Sequence, residues 1–80
     1  MRRDKAEALV SSELTKALAK HRPMTSLHEG YAVILEELDE LWDEVKRQKP
    51  DHDALVKEAA QVAAMGLRFL IDVCEETDDG

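Results

Sequence analysis

Apolar residues between positions 27 and 45 recur with the period of an α-helix. They form one stripe that is about 120° wide and centred near Leu38. Its members are Leu27, Tyr31, Ile34, Leu35, Leu38, Leu41, Trp42 and Val45. Ser26 is a typical N-cap residue, and Pro50 cannot continue a helix. The pattern predicts an amphipathic helix over about residues 27–48, whose apolar stripe is expected to lie in the core.

A narrower stripe precedes this helix. Val10 and Leu14 recur at helical spacing among strong helix formers, and Pro23 ends the segment. We therefore predict a first helix over about residues 4–21. Because its apolar stripe is narrow, this helix is expected to cover a bundle rather than form its centre.

The segment from Ala59 to Cys74 is apolar around most of a helix circumference. It predicts a third helix over about residues 54–75, with Asp51 or Asp53 as its N-cap. A helix that is apolar on nearly all sides must be buried by several neighbours. Two other helices cannot cover it, so we expect an oligomer, a homodimer or homotetramer, joined mainly through this helix.

The three segments predict an all-α fold, a helix plus an antiparallel helical hairpin in one domain of 80 residues. The hairpin follows from the short connection between the second and third helices. Residues 76–80 contain no apolar side chain and are expected to fray. A chain this small has a marginal core, which also favours an oligomeric helical bundle.

Composition narrows the possible partners. The net charge of −7 argues against a nucleic acid or an anionic membrane as partner. No segment is apolar for long enough to span a membrane, and the start of the chain does not resemble a signal peptide. The single cysteine, Cys74, excludes an intrachain disulfide and suits a reducing compartment, so we expect a cytoplasmic protein.

Three glutamates share one side of the second helix. Glu37, Glu40 and Glu44 fall within a sector of about 60° beside the apolar stripe. Like charges at this spacing repel one another. A hard cation such as Mg²⁺ would offset the repulsion, because it takes carboxylate oxygens and leaves positions for water and phosphate. The alternative is an ordinary solvated acidic face.

A single polar row crosses the otherwise apolar third helix. It consists of Glu58, Gln61, Arg68, Asp72 and Glu75, with Met65 among them. In a hairpin that turns near Pro50, Glu40 would lie level with Gln61, and Glu58 would lie between Glu40 and Glu44. Four oxygen-bearing side chains are then predicted to converge: Glu37, Glu40, Glu58 and Gln61. Arg68 and Asp72 are expected to pair at a spacing of four residues.

These residues resemble the MazG-like all-α nucleoside triphosphate pyrophosphatases. That family has Glu-x-x-Glu on one helix and Glu-x-x-Asp on the next, and here Glu37-x-x-Glu40 is followed by Glu58-x-x-Gln61. The resemblance implies Mg²⁺-dependent or Mn²⁺-dependent hydrolysis of a nucleoside triphosphate to the monophosphate and pyrophosphate, in a dimer or tetramer. It also implies that the three glutamates ligate the metal. Gln61 stands where the family has Asp, so it supplies an oxygen without a negative charge.

Three further side chains are candidate contacts to the substrate, namely Glu44, Arg68 and Asp72. Two other functions remain open. The chain fits a non-catalytic oligomer of the same fold that binds nucleotides or assembles proteins, and Gln61 favours that alternative. An unrelated coiled-coil interaction protein is least favoured, because the full apolar stripe follows a period of 3.6 rather than a sustained heptad.

Overall fold

The structure is a computed structural model that describes residues 1–74. It contains three helices, α1 (Arg3–Lys20), α2 (Leu27–Val45) and α3 (His52–Val73), and the described residues include no strand. The all-helical prediction is therefore confirmed. The predictions for Glu75 and for residues 76–80 lie outside the described part of the chain.

The N-terminal boundaries of α2 and α3 are set by side-chain caps. The Ser26 hydroxyl accepts a hydrogen bond from the Glu29 N–H at 3.0 Å, as its position predicted. Of the two candidate caps for α3, Asp51 is the one used, and its carboxylate accepts from the Asp53 N–H at 3.2 Å. Helix α3 therefore begins two residues before the predicted start, at His52.

Helix α2 ends at Val45, three residues before the predicted end. The helix ends early because of a turn, formed by hydrogen bonds to Glu44, that the apolar pattern does not predict. The Glu44 carboxylate accepts a hydrogen bond from the Asp51 N–H at 2.7 Å and two from the Arg47 guanidinium, at 3.0 and 3.1 Å. These contacts draw the chain back toward α2 and close the hairpin.

Helix α3 lies between the other two helices. Helices α1 and α2 both pack against it, and within the described residues they do not pack against each other. This central position explains part of the apolar circumference of α3, whereas Leu67, Leu70 and Ile71 on the same helix are exposed. Helices α2 and α3 run antiparallel, because Gly30 near the start of α2 lies against Phe69 near the end of α3.

The core within one chain is small. Its buried apolar members are Ala17, Met24, Ala60, Ala64 and Met65. Half-buried apolar side chains from all three helices pack around the cluster that Ala17, Met24, Ala64 and Met65 form. The stripe of α2 is largely outside this core, which corrects the sequence-based expectation. Leu38 at its centre is 46 % exposed, Trp42 is 58 % and Tyr31 is 65 %. The helix is rotated so that Gly30, an edge of the stripe and Glu37 face α3.

No helix of the described chain combines the length and the apolar composition that crossing a membrane requires.

Glycine is required at position 30 by a close helix contact. A Cβ built there would lie 2.5 Å from Cδ2 of the Phe69 ring and 3.3 Å from the Met24 sulfur. Nothing lies within 4 Å of a Cβ built at Gly66, so packing within the chain does not require that glycine.

We expect Gly30→Ala to lower the free energy of unfolding by about 1–2 kcal/mol. Overpacking against Phe69 destabilises the fold by more than the higher helix propensity of alanine stabilises it. The matched variant Gly66→Ala should leave stability unchanged or raise it by up to about 1 kcal/mol. Urea denaturation followed by circular dichroism measures both. Equal effects of the two substitutions would contradict the close contact at Gly30.

Candidate metal centre

Three carboxylates meet where α2 packs against α3. Glu37 and Glu40 project from successive turns of α2, and Glu58 projects from α3. One oxygen of each lies within 4.8 Å of the other two. We call these three side chains the acidic cluster. The predicted convergence of the glutamates is therefore present in the structure.

Gln61 joins the acidic cluster through its amide. One end of the amide lies 3.2 Å from Glu37 Oε2 and 3.2 Å from Glu58 Oε2. The other end lies 3.5 Å from Glu13 Oε2 on α1. With its nitrogen toward the cluster, the amide donates one hydrogen bond to each of these two carboxylates. With its oxygen toward the cluster, it donates to Glu13 and presents a fourth oxygen ligand.

The register of the hairpin differs from the predicted one by about one helical turn. Gln61 lies beside Glu37 rather than beside Glu40. The difference arises because α2 ends at Val45 and α3 begins at His52, so the turn is centred before Pro50. The same four residues still converge, since glutamate recurs one turn apart on α2.

Burial and mutual repulsion perturb the acidic cluster. The pKa of Glu37 is raised to about 7, first by burial and then by the negative charge of the neighbouring Glu40. The pKa of Glu58 is also raised, first by burial and then by Glu40. Near neutral pH the metal-free cluster therefore retains a proton on Glu37 for part of the time, which reduces its negative charge.

A cavity of about 320 Å³ adjoins the acidic cluster at Glu37. Acidic side chains of α2 border one part of it, and basic side chains of α3 and of the α1–α2 connection border another. The lining residues are His21, Arg22, Glu29, Val33, Glu36, Glu37, Met65 and Arg68. Glu37 of the acidic cluster therefore borders a cavity whose lining contains both carboxylates and cationic side chains.

Glu44 lies outside the acidic cluster. Its carboxylate is occupied by the Asp51 N–H and by the Arg47 guanidinium, and these hydrogen bonds lower its pKa. The structure thus gives Glu44 a role in closing the hairpin. A contact between Glu44 and a substrate stays a prediction.

Arg68 and Asp72 form the expected pair, with 3.8 Å between Arg68 Nε and Asp72 Oδ2, and both side chains are only 6 % exposed. Each also holds the connection between α1 and α2. The Arg68 guanidinium donates to the Arg22 carbonyl at 3.0 Å, and Asp72 accepts from the Met24 N–H at 2.9 Å. Their first role is structural, although Arg68 also borders the cavity.

Glu13 lies near Gln61, with 3.5 Å between Glu13 Oε2 and the Gln61 amide, and the sequence did not indicate it. It projects from α1 and is half-buried. No short turn connects α1 to α3, so the sequence contains no register from which the approach of Glu13 to Gln61 could be deduced.

No family model, curated protein or solved structure matches this chain. The resemblance to the MazG-like enzymes therefore depends on four residues and their position on a helical hairpin.

Removing Asp72 should be strongly destabilising. Asp72→Ala leaves the Arg68 charge buried beside no carboxylate and frees the Met24 N–H, so we expect a loss of about 3–5 kcal/mol. The control Asp43→Ala removes an exposed partner of Lys46 and should cost less than about 0.5 kcal/mol. Chemical denaturation measures both, and a similar small loss for each would contradict a structural role for the buried pair of Arg68 and Asp72.

The raised pKa of Glu37 predicts a pH dependence of stability. The folded chain binds more protons than the unfolded chain between the ordinary pKa of 4.5 and the raised pKa of about 7. In a chelating buffer the melting temperature should therefore fall as pH rises through this window. Glu37→Gln should reduce the slope. A slope that is unchanged in this variant would contradict the assignment of the shift to Glu37.

Proposed function

We propose that this chain is a MazG-like, Mg²⁺-dependent nucleoside triphosphate pyrophosphohydrolase. The observation that supports the proposal is the acidic cluster, whose three carboxylates come from two antiparallel helices and lie within 4.8 Å of one another. Gln61, at the fourth position of the family pattern, contacts two of them at 3.2 Å. The single cysteine supports a cytoplasmic location, and the resemblance implies a dimer or tetramer.

The donor set fits a hard divalent cation. Mg²⁺ prefers an octahedron of oxygen ligands at about 2.1 Å, so adjacent ligands lie about 3.0 Å apart and opposite ligands about 4.2 Å apart. Small rotations of the glutamate side chains would bring the cluster to these spacings. Mn²⁺ accepts the same ligands. Gln61 would add a neutral oxygen, so affinity is expected to be lower than with a carboxylate at this position.

The cavity beside Glu37 is large enough for part of a nucleotide, since ligand sites begin at about 300 Å³ and this one measures about 320 Å³. In the proposed reaction, water adds to the α-phosphorus and pyrophosphate leaves. Bound Mg²⁺ supplies neutralisation of phosphate oxygens and orientation of the water. Glu37, Glu40 and Glu58 would hold the cation, while Arg22 borders the cavity where a phosphate chain would extend.

Gln61 also supports a second candidate function. With its amide nitrogen toward the cluster, it donates to Glu37 and Glu58 at 3.2 Å each. A neutral donor of this kind offsets part of the repulsion without a metal. The second candidate is therefore a non-catalytic helical module that binds nucleotides or assembles proteins, with the acidic cluster retained as a hydrogen-bonded structural element.

Metal binding should stabilise the folded chain. Mg²⁺ is expected to raise the melting temperature by mass action, with a further rise when a nucleoside triphosphate is present. Glu40→Gln should abolish the metal effect and leave the metal-free protein equally or more stable, because it removes repulsion from Glu37 and Glu58. The control Asp39→Asn removes one exposed charge from the same helix. Calorimetric titration and thermal melting measure these effects. If both variants responded to Mg²⁺ like wild type, metal binding at the acidic cluster would be contradicted.

Gln61→Asp separates the two candidate functions. It supplies the charge of the family pattern, so Mg²⁺ affinity should rise by about tenfold or more, which corresponds to about 1.4 kcal/mol. Release of pyrophosphate from nucleoside triphosphates should increase with it. If wild type and Gln61→Asp both bind Mg²⁺ but neither releases pyrophosphate, the enzymatic proposal is wrong and the binding module is favoured.

A further inference from the structure

An apolar row on α2 is exposed on the outside of the hairpin. Its members, which we call the outer row, are Tyr31, Leu35, Leu38, Trp42 and Val45, each at least 40 % exposed. We propose that the outer row binds a second copy of this chain. The inference does not depend on the proposed function, because it concerns a surface that the acidic cluster does not use.

The area of the single chain supports a partner surface. The chain exposes 6252 Å², whereas a folded monomer of 9.0 kDa exposes about 4,900 Å². The excess is on the order of 1,000 Å², and a stable dimer buries about 800 Å² from each partner. Among the described residues, no large side chain is fully buried. One copy therefore has an incomplete core, and the excess area is sufficient for the surface that a stable dimer buries from each partner.

The spacing of the outer row fits a second helix of the same kind. Successive members are separated by four, three, four and three residues, which is the alternation of a coiled-coil seam over about two heptads. No charged residue lies within the row. Two copies related by a two-fold axis can therefore pack this row on itself around Leu38, although each chain has a net charge of −7.

The outer row and the acidic cluster occupy different sides of α2. Leu38 is one residue from Glu37, which is a rotation of about 100° around the helix. At its N-terminal end the row continues onto α3 through a shallow apolar depression lined by Leu27, His28, Tyr31 and Phe69, with Leu70 also exposed beyond it. The proposed contact is therefore centred on α2, with α3 at its edge, and it leaves the acidic cluster open. The expected contact through α3 stays a prediction.

Trp42 is the only tryptophan of the chain, so its emission reports on the outer row directly. In sedimentation equilibrium we expect wild type at twice the chain mass of 9.0 kDa at micromolar concentration, with blue-shifted Trp42 emission and low accessibility to acrylamide. Dilution should shift the emission to the red as the mass falls. Leu38→Lys should weaken association at least a hundredfold, whereas Ala32→Lys adds the same charge at an exposed position outside the row and should associate like wild type.

Circular dichroism shows whether Leu38→Lys remains helical. If this variant unfolds, the mass and the Trp42 emission of the wild type test the proposal. A wild-type monomer with exposed Trp42 would overturn the proposal and would indicate a different protein as the occupant of the outer row. A wild-type oligomer with exposed Trp42 would also overturn it, since the contact would then use another surface.

Discussion

The register of the α2–α3 hairpin is fixed near both of its ends, and the acidic cluster depends on it. At the closed end, the Glu44 carboxylate accepts from the Asp51 N–H at 2.7 Å. Toward the open end, Gly30 allows the Phe69 ring to approach the α2 backbone. A shift of one residue on α3 would rotate Glu58 by about 100° away from Glu40. Two contacts outside the acidic cluster thus place the carboxylates together.

The acidic cluster reduces the stability of the helix packing that brings its carboxylates together. Burial raises the pKa of Glu37 to about 7, which means that its charged form is unfavourable at this position. An ordinary small bundle would place apolar side chains here, and the apolar residues of α2 are instead largely exposed. Local features that reduce stability in this way are concentrated at functional sites. Gln61 limits the loss, since its amide can donate to two of the three carboxylates.

The sequence predicted features that depend on local chemistry. The Ser26 cap, the pairing of Arg68 with Asp72 and the existence of three helices follow from neighbouring residues. The predicted end of α2 was wrong by three residues. Lys46 and Arg47 are favourable near a helix C-terminus, and nothing in the apolar pattern shows that Glu44 accepts a hydrogen bond from the Asp51 N–H.

The acidic cluster was predicted despite the resulting register error, because Glu37 and Glu40 are one turn apart and either can meet α3. Glu13 and the exposure of Trp42 were not predicted, since both depend on how whole helices are rotated and placed. Periodicity shows that a stripe exists, but it does not show which neighbour covers it.

Helix α2 therefore has two surfaces with opposite demands. One side presents glutamates to α3, where burial makes their charged forms unfavourable. The adjacent side presents the outer row, whose apolar side chains are unfavourable in contact with water. The proposed dimer would connect the two energetically. Burial of the outer row stabilises the folded hairpin without altering the acidic cluster, so a chain with a small core of its own can retain closely spaced carboxylates. In such an arrangement the electrostatic cost of the cluster is offset by association of the copies rather than by contacts at the cluster itself.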